Sequence, residues 1–430
     1  MQTKLFRLTV LNALLLSGFA TAETAPAASE PIADSAELET IYITAEAQVK
    51  QQLGSSLITK QDLQRTPVSN DISEIVSKMP GVTLSTNSPG GTRGNKRQID
   101  IRAMGPENTL ILIDGKPVRS RNAERYGRGG VRNTRGDSNW VPPEMIEKIE
   151  VLRGPAAARY GSGAMGGVVN IRTKSITREF HGSVGTYIEQ PQSGTGQGAT
   201  RRANFIVSGP IVQDTLGFRL YGSLNKTSPD DFDINNSVNT GTALSAGREG
   251  VRNRDIAGRL QWDISPTQRL TFDASYSRQG NIYAGDNQNN NPNAFTQSLY
   301  GSETARLTRI SNALTHEGYW SWGDSKVVAQ LDRTENHHLT EGLMGGPEGQ
   351  YQNRNFTDST LQTKRLFGEV NIPFKLGGDH VLTIGTEYNH DRLNDKGSMV
   401  QGFSDQGKTD RFAGVGTGRS SKTSQSNFAF

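Results

Sequence analysis

Residues 97–118 read RQIDIRAMGPENTLILIDGKPV, an arginine-studded loop then runs to Trp140, and residues 141–174 read VPPEMIEKIEVLRGPAAARYGSGAMGGVVNIRTK. Asp114-Gly115 between two short apolar runs predicts a tight hairpin, because a two-residue turn with positive φ favours Asp-Gly. A helix-to-strand unit is expected next, opened by Pro142-Pro143 and closed by Gly154-Pro155.

This combination of blocks resembles the plug domain of TonB-dependent outer-membrane receptors. Within that family it is most similar to the ferric-enterobactin (ferric catecholate) receptors. The resemblance implies an all-β protein with a small α+β plug, the plug preceding a 22-stranded transmembrane β-barrel of which this chain holds part.

Composition fits such a protein. Gly occurs 48 times in 430 residues, above the usual ~7%, which suits a β-rich chain with many turns. With no cysteine, disulfides and thiolate metal sites are excluded. At the N-terminus, Lys4 and Arg7 precede an apolar run from Leu8 to Phe19 and the A-x-A sequence Ala20-Thr21-Ala22. Residues 1–22 are therefore expected to be a signal peptide, with Glu23 as the mature N-terminus. No later run reaches the ~20 apolar residues of a transmembrane helix, which leaves a soluble protein or a β-barrel.

Residues 23–50 form the next segment. Its first part is rich in Ala, Pro, Ser and Glu and reads as flexible. Then come Glu39, Thr40, Ile41, Tyr42, Ile43, Thr44 and Ala45, a β-prone peptide suited to pairing with the edge of another sheet. It resembles the TonB box, which implies TonB, with its inner-membrane energising complex, as a partner. From residue 51 to 176 the chain reads as the globular plug. In it, Asp71 and Glu74 form a D-x-x-E capping pair ahead of a helical stripe of Ile72, Ile75, Val76 and Met79, ended by Pro80-Gly81.

Residues 177–430 change to a period of two. Candidate strands lie at 180–189, 201–209, 218–224, 259–264, 270–276, 305–316, 325–334, 364–374, 380–391 and 424–430. One apolar and one polar face per strand suits a barrel in lipid, although a soluble sandwich alternates in the same way. Long Asn/Gly-rich segments such as 279–304 and 392–423 favour the barrel. Ten strands could not close around a plug of this size, since an open lumen takes about sixteen to eighteen. The chain is thus expected to be the N-terminal part of a longer receptor.

Nothing in the sequence suggests catalysis. GSGAMG (161–166) satisfies G-x-G-x-x-G, but a strand-like VVNI follows it, where a dinucleotide site needs a helix. The six histidines show no metal-ligand spacing, and Ser162 lacks the strand–turn–helix setting of a nucleophile. Neither an enzyme, a cofactor nor a metal site is expected.

The candidate ligand site is the loop with Arg119, Arg121, Arg125, Arg128, Arg132 and Arg135 against the single acid Glu124. Nucleic-acid binding is the generic reading of such a patch, and an export signal opposes it. A ferric tris-catecholate is a trianion whose iron already holds six oxygens, so its receptor needs positive charge and flat surfaces. Arginine supplies both, and Tyr126 and Trp140 are candidate stacking partners. Tyr283 and Tyr300 match barrel-loop segments of the family and are secondary candidates. By the same resemblance Arg102 and Arg153 correspond to plug-locking arginines that pair with barrel glutamates. Where relatives have Gly after the first of these, this chain has Ala103, and a positive φ there would cost about 1 kcal/mol.

The function expected is TonB-dependent uptake of a ferric siderophore, a catecholate such as enterobactin, across the cell outer membrane. Two alternatives stay open: a truncated, non-transporting receptor fragment and a secreted β-rich adhesin. A signal-transducing receptor would need a folded domain ahead of the box, where only sixteen residues separate Glu23 from Glu39. Use of the surface by bacteriocins or phages is also left open.

Overall fold

The computed structural model describes residues 54–65, 71–85, 97–123, 136–156, 160, 163–231, 234, 248–284, 300–341, 351–376, 379–395 and 419–429. The expected signal peptide and the 39–45 strand lie outside them.

The N-terminal domain is built on a five-stranded sheet of order β1-β6-β7-β4-β5. Its strands are β1 (Ser55–Ile58), β4 (Thr109–Ile113), β5 (Lys116–Pro117), β6 (Ile146–Arg153) and β7 (Gly167–Thr173). β4 and β7 are parallel and the remaining neighbours antiparallel. TLILI is a nearly continuous apolar run and residues 167–171 of β7 are all buried, as central strands covered on both faces require. A separate pair, β2 (Val82–Ser85) and β3 (Gln98–Ile101), and helices α1 (Lys60–Arg65) and α2 (Ile72–Val76) complete the domain. Ile72, Val76, Ile101, Ile149, Val151, Val169 and Ile171 form its core.

The hairpin turn has φ of 49° at Asp114 and 76° at Gly115, the two left-handed residues that an Asp-Gly turn between twisted strands demands. Asp71 caps α2 by accepting from Ser73 N at 3.0 Å. The helix is shorter than its apolar stripe, ending at Val76 before the Gly81 turn. The expected helix after Pro142-Pro143 is a single 3₁₀ turn, Pro143–Met145, which leads directly into β6. The prolines do initiate a turn, but IEKIEVLR alternates along the chain and is claimed by the sheet.

β8 to β17 form a second sheet of ten antiparallel strands in sequence order. They are β8 (His181–Glu189), β9 (Thr200–Val212), β10 (Leu216–Thr227), β11 (Gly250–Ser265), β12 (Gln268–Ile282), β13 (Glu303–Trp320), β14 (Gly323–Glu341), β15 (Tyr351–Lys375), β16 (Asp379–Asp395) and β17 (Arg419–Ala429). Each candidate strand of the sequence is found here. The faces are inverted relative to a soluble protein: Leu224, Ile256, Leu260, Trp262 and Leu331 are exposed, while Arg219, Ser223, Ser277, Gln279 and Gln330 are buried. A soluble sandwich would bury the first set, so the exposed apolar face is a lipid-facing one. Short turns at 213–215, 266–267, 321–322 and 376–378 alternate with long connections at 228–249, 283–302, 342–350 and 396–418. In outer-membrane barrels the short turns face the periplasm and the long loops the exterior.

Candidate functional site

The two segments that flank the arginine-rich stretch are stitched together into a base by polar side chains. The chain enters it through a 3₁₀ turn, Ser120–Ala123, and returns through Asp137, Ser138, Asn139 and Trp140, all buried. Asp137 Oδ1 accepts from Arg121 N at 3.0 Å and from the Ser120 hydroxyl, which itself accepts from Trp140 Nε1 at 2.8 Å. Burial pushes the Asp137 carboxyl above its ordinary range, although Arg121 and the Ser120 hydroxyl oppose the shift. Asn139 extends the network to α2: its Oδ1 accepts from Ile72 N at 3.0 Å, and its Nδ2 donates to Asp71 Oδ1 at 3.1 Å. That supplies one of the helix-terminal amides with an acceptor.

The same base is fixed to the inner wall of the ten-stranded sheet. Arg119 Nη1 meets Asp391 Oδ2 at 3.2 Å, the Ser359 hydroxyl donates to Ala123 O, and Trp140 packs on Val118 and Leu307. Both flanking segments are therefore held.

The expected ligand residues divide accordingly. Arg125, Tyr126, Arg128, Arg132 and Arg135 lie outside the described residues. Arg121 is committed to carbonyl oxygens of Thr109 (3.1 Å), Glu107 (3.0 Å) and Pro106. Trp140 is 2% exposed, so its ring packs the base and offers no open stacking face. Tyr283 is fully buried at the end of β12, and Tyr300 OH donates to Asp230 O at 3.0 Å. Arg121 and Trp140 thus belong to the packed base of the loop, and Tyr300 joins two of the long barrel connections.

The two arginines expected to lock the plug also have defined places. Arg102 is exposed, with φ of 58° and its N donating to Gly81 O at 2.8 Å; Ala103 follows at φ 54°. Ala103 thus takes the positive φ whose cost was weighed for that position. Arg153 Nη1 donates to Pro80 O at 3.0 Å. Among the described residues neither arginine forms an ion pair. Gly167, just beyond GSGAMG, sits where an added Cβ would run into the backbone oxygen of Leu152 as well as Ile101 Cδ1, so close packing accounts for a glycine there.

The sequence does not announce the contact that joins hairpin to wall. Arg259 on β11 donates from Nη2 to Asp114 Oδ2 at 2.7 Å and from Nε to Asp273 Oδ1 at 2.6 Å. Lys116 Nζ reaches Asp273 Oδ2 at 2.8 Å. A second link joins Arg202 to Glu144 at 2.6 Å. Beside the first lies a polar cavity of about 480 Å³ whose lining includes Lys116, Arg172, Arg259, Asp273, Glu317 and Lys326.

Residues 48–168 match the TonB-dependent Receptor Plug Domain family. The chain belongs to the TonB-dependent receptors. It is 56% identical to the probable TonB-dependent siderophore receptor PirA of Acinetobacter baumannii over 90% of this chain and 51% of that protein. The ferrienterobactin receptor of Escherichia coli is 50% identical, over 88% and 52% respectively. The crystal structure of the Acinetobacter PirA superposes with a TM-score of 0.76 at 57% identity, covering 82% of this chain and 50% of that one. The chain spans about half the length of the curated relatives it matches. The N-terminal domain is accordingly a plug, the ten strands are barrel wall, and the protein is an outer-membrane one. Its relatives are named as receptors, not as enzymes, and it is read likewise.

Proposed function

We propose that this plug and barrel wall serve TonB-dependent uptake of a ferric siderophore, a catecholate of the enterobactin class. The observation that carries the reading is the plug loop itself. Residues 120–123 and 137–140 form a buried, hydrogen-bonded base, and between them the sequence places a run of arginines. The relatives named as ferric enterobactin receptors support the choice of ligand.

In this reading residues 1–22 are the signal peptide, 23–50 the periplasmic extension, 51–176 the plug and 177–430 barrel wall. Arg125, Arg128, Arg132 and Arg135 meet the trianionic chelate, with Tyr126 stacking on a catechol ring. Arg119 adds positive charge at the loop's root, where Asp391 partly neutralises it. Iron travels as cargo, already saturated by oxygens, so the protein supplies no metal ligand. Residues 39–45 add as a strand to TonB, which delivers work from the inner membrane. Ligand outside must then alter the availability of that strand, a coupling between two sites. The direct test is equilibrium binding and cellular uptake of ferric enterobactin by the whole receptor, against a neutral hydroxamate chelate. Equal preference for the two chelates removes the catecholate assignment.

A further inference from the structure

Among the described residues, Arg219 on β10 is a buried cation without an ion pair. It is 4% exposed, and its Nε and Nη1 meet no acceptor. The reason lies in its neighbours. The residue directly opposite it in the β10–β11 register is another arginine, Arg259, and like charges set opposite each other repel. The two carboxylates near it, Asp114 and Asp273, are already engaged. Asp114 accepts from Thr173 and Arg259, and Asp273 from Arg259 and Lys116. Those two acids and two bases are neutral as a group, so the charge of Arg219 is left over. Asp255, elsewhere on β11, accepts from the Ser277 hydroxyl.

Arg219 instead lines a cavity of about 60 Å³ between plug and wall, together with Ile113, Trp140 and Val141 of the plug and Tyr221 and Arg309 of the wall. Roughly 10–15 Å³ already admits one water, so a small ion fits there and a siderophore does not. Arg309 on β13 is 6% exposed and spends Nη2 on Asp332 and Ser311, while its Nε too has no acceptor. Two guanidinium groups with unmet donors thus line a single cavity. A guanidinium stays charged, so shedding a proton is no remedy, and an unpaired charge away from water is costly. Water would satisfy the N–H groups and leave the charge, whereas an anion meets both needs.

We propose that Arg219, with Arg309 on the same cavity, binds a small monovalent inorganic anion of chloride's size between plug and wall. The anion supplies the negative charge that Asp114 and Asp273 have already given to Arg259 and Lys116. Because plug and wall close the cavity together, the anion stabilises their docked form by mass action. The site takes no siderophore, and its occupancy is independent of the uptake function proposed above.

The test uses the whole receptor, purified in detergent. Crystals grown with sodium bromide in place of chloride locate the ion by its anomalous scattering. A bromide in hydrogen-bonding contact with Arg219 Nε or Nη1 is expected; none in this cavity overturns the proposal. In solution, amide exchange is followed at Gly115 and at Thr173, which lines the cavity, in sodium chloride and in sodium gluconate of equal ionic strength. Gluconate is too large to enter, and screening is the same in both salts. Chloride at about ten times its Kd should slow exchange roughly tenfold relative to gluconate; equal rates at every concentration overturn the proposal. Arg219→Met removes the charge and keeps an unbranched, adaptable side chain. In gluconate this variant should exchange no faster than the parent, since an unpaired buried cation has gone, and chloride should slow it no further. An arginine needed only for packing would give fast exchange in both salts, and a chloride effect that survives the substitution lies at another site; either result overturns the proposal. If the variant does not assemble, the bromide position and the parent's chloride effect decide. A bromide peak without any chloride effect marks an adventitious ion only and also overturns it.

Discussion

Arg259 and Asp114 meet at 2.7 Å across the boundary between barrel wall and plug, although 145 residues separate them in the chain. Replacing Arg259 by Gln leaves Asp114 and Asp273 facing each other without the cation that joins them. Removing one partner from a largely buried ionic group costs roughly 3 kcal/mol or more. The plug of Arg259→Gln should lose protection against trypsin at a lower guanidinium concentration than the parent. Arg259→Lys should recover only part of the difference, because an ammonium is a point charge. Equal midpoints for Gln and parent would show that the contact holds nothing.

The same carboxylate gives a pH dependence of definite sign. Burial opposes ionisation of Asp114, but Arg259 and Lys116 outweigh it and hold the carboxyl below its ordinary range. A depressed folded pKa means that the stabilisation is complete above the unfolded value of ~3.9 and is lost as pH falls through the folded one. The Asp114 contribution, read as the parent minus Asp114→Asn difference in plug protection, should be flat from about pH 5 to 7 and shrink only in stronger acid. A contribution that fades already near pH 6 would contradict the assignment.

Asn139 ties the loop base to the first turn of α2. Its replacement by Ala leaves Ile72 N and Asp71 short of one partner each, a loss of about 1 kcal/mol by analogy with helix caps. The expected result is earlier proteolytic nicking around residues 66–70 with ferric enterobactin affinity nearly unchanged. Unaltered nicking would mean that the bond is incidental.

Much of this architecture is legible in the sequence, for reasons particular residues make plain. All ten wall strands declare themselves because alternation such as Leu260, Trp262 and Ile264 against Arg259, Gln261 and Asp263 is a local property. The Asp114-Gly115 hairpin is equally local. The helix expected after Pro142-Pro143 shrinks to one turn because proline marks a beginning and says nothing of length. Pairing is another matter. Arg259 and Asp273 read as lumen-facing residues, yet only the β11–β12 register sets them opposite, and only docking adds Asp114 and Lys116. Trp140 lies near the arginines in sequence, but its indole is used up by Ser120 and its ring by Val118 and Leu307. Burial of that kind depends on residues far along the chain.

The proposed coupling strand gives a sharp separation of binding from transport. Ile43→Pro removes a backbone donor in residues 39–45 and disrupts strand addition. Cells carrying this variant should bind ferric enterobactin at their surface and fail to import it. Import at the parental rate would exclude residues 39–45 as the strand that TonB engages.

The arginine loop is tested through charge. Arg119 and Arg121 are engaged by Asp391 and by backbone carbonyls, so the test addresses Arg125, Arg128 and Arg132 of the proposed site. Changing these three to Gln keeps polarity and approximate length while removing three positive charges. A charge-assisted hydrogen bond contributes about 1.5–3 kcal/mol, and exposure to water lowers that figure. A combined loss of only about 3 kcal/mol would still weaken binding by roughly a hundredfold. Affinity for ferric enterobactin should fall by that order in the whole receptor, and the difference from the parent should narrow as salt screens the remaining attraction. Affinity for a neutral hydroxamate chelate should change little. A triple variant that holds the catecholate as tightly as the parent would take these arginines out of the site. The charge would then have to come from the barrel loops around Tyr300.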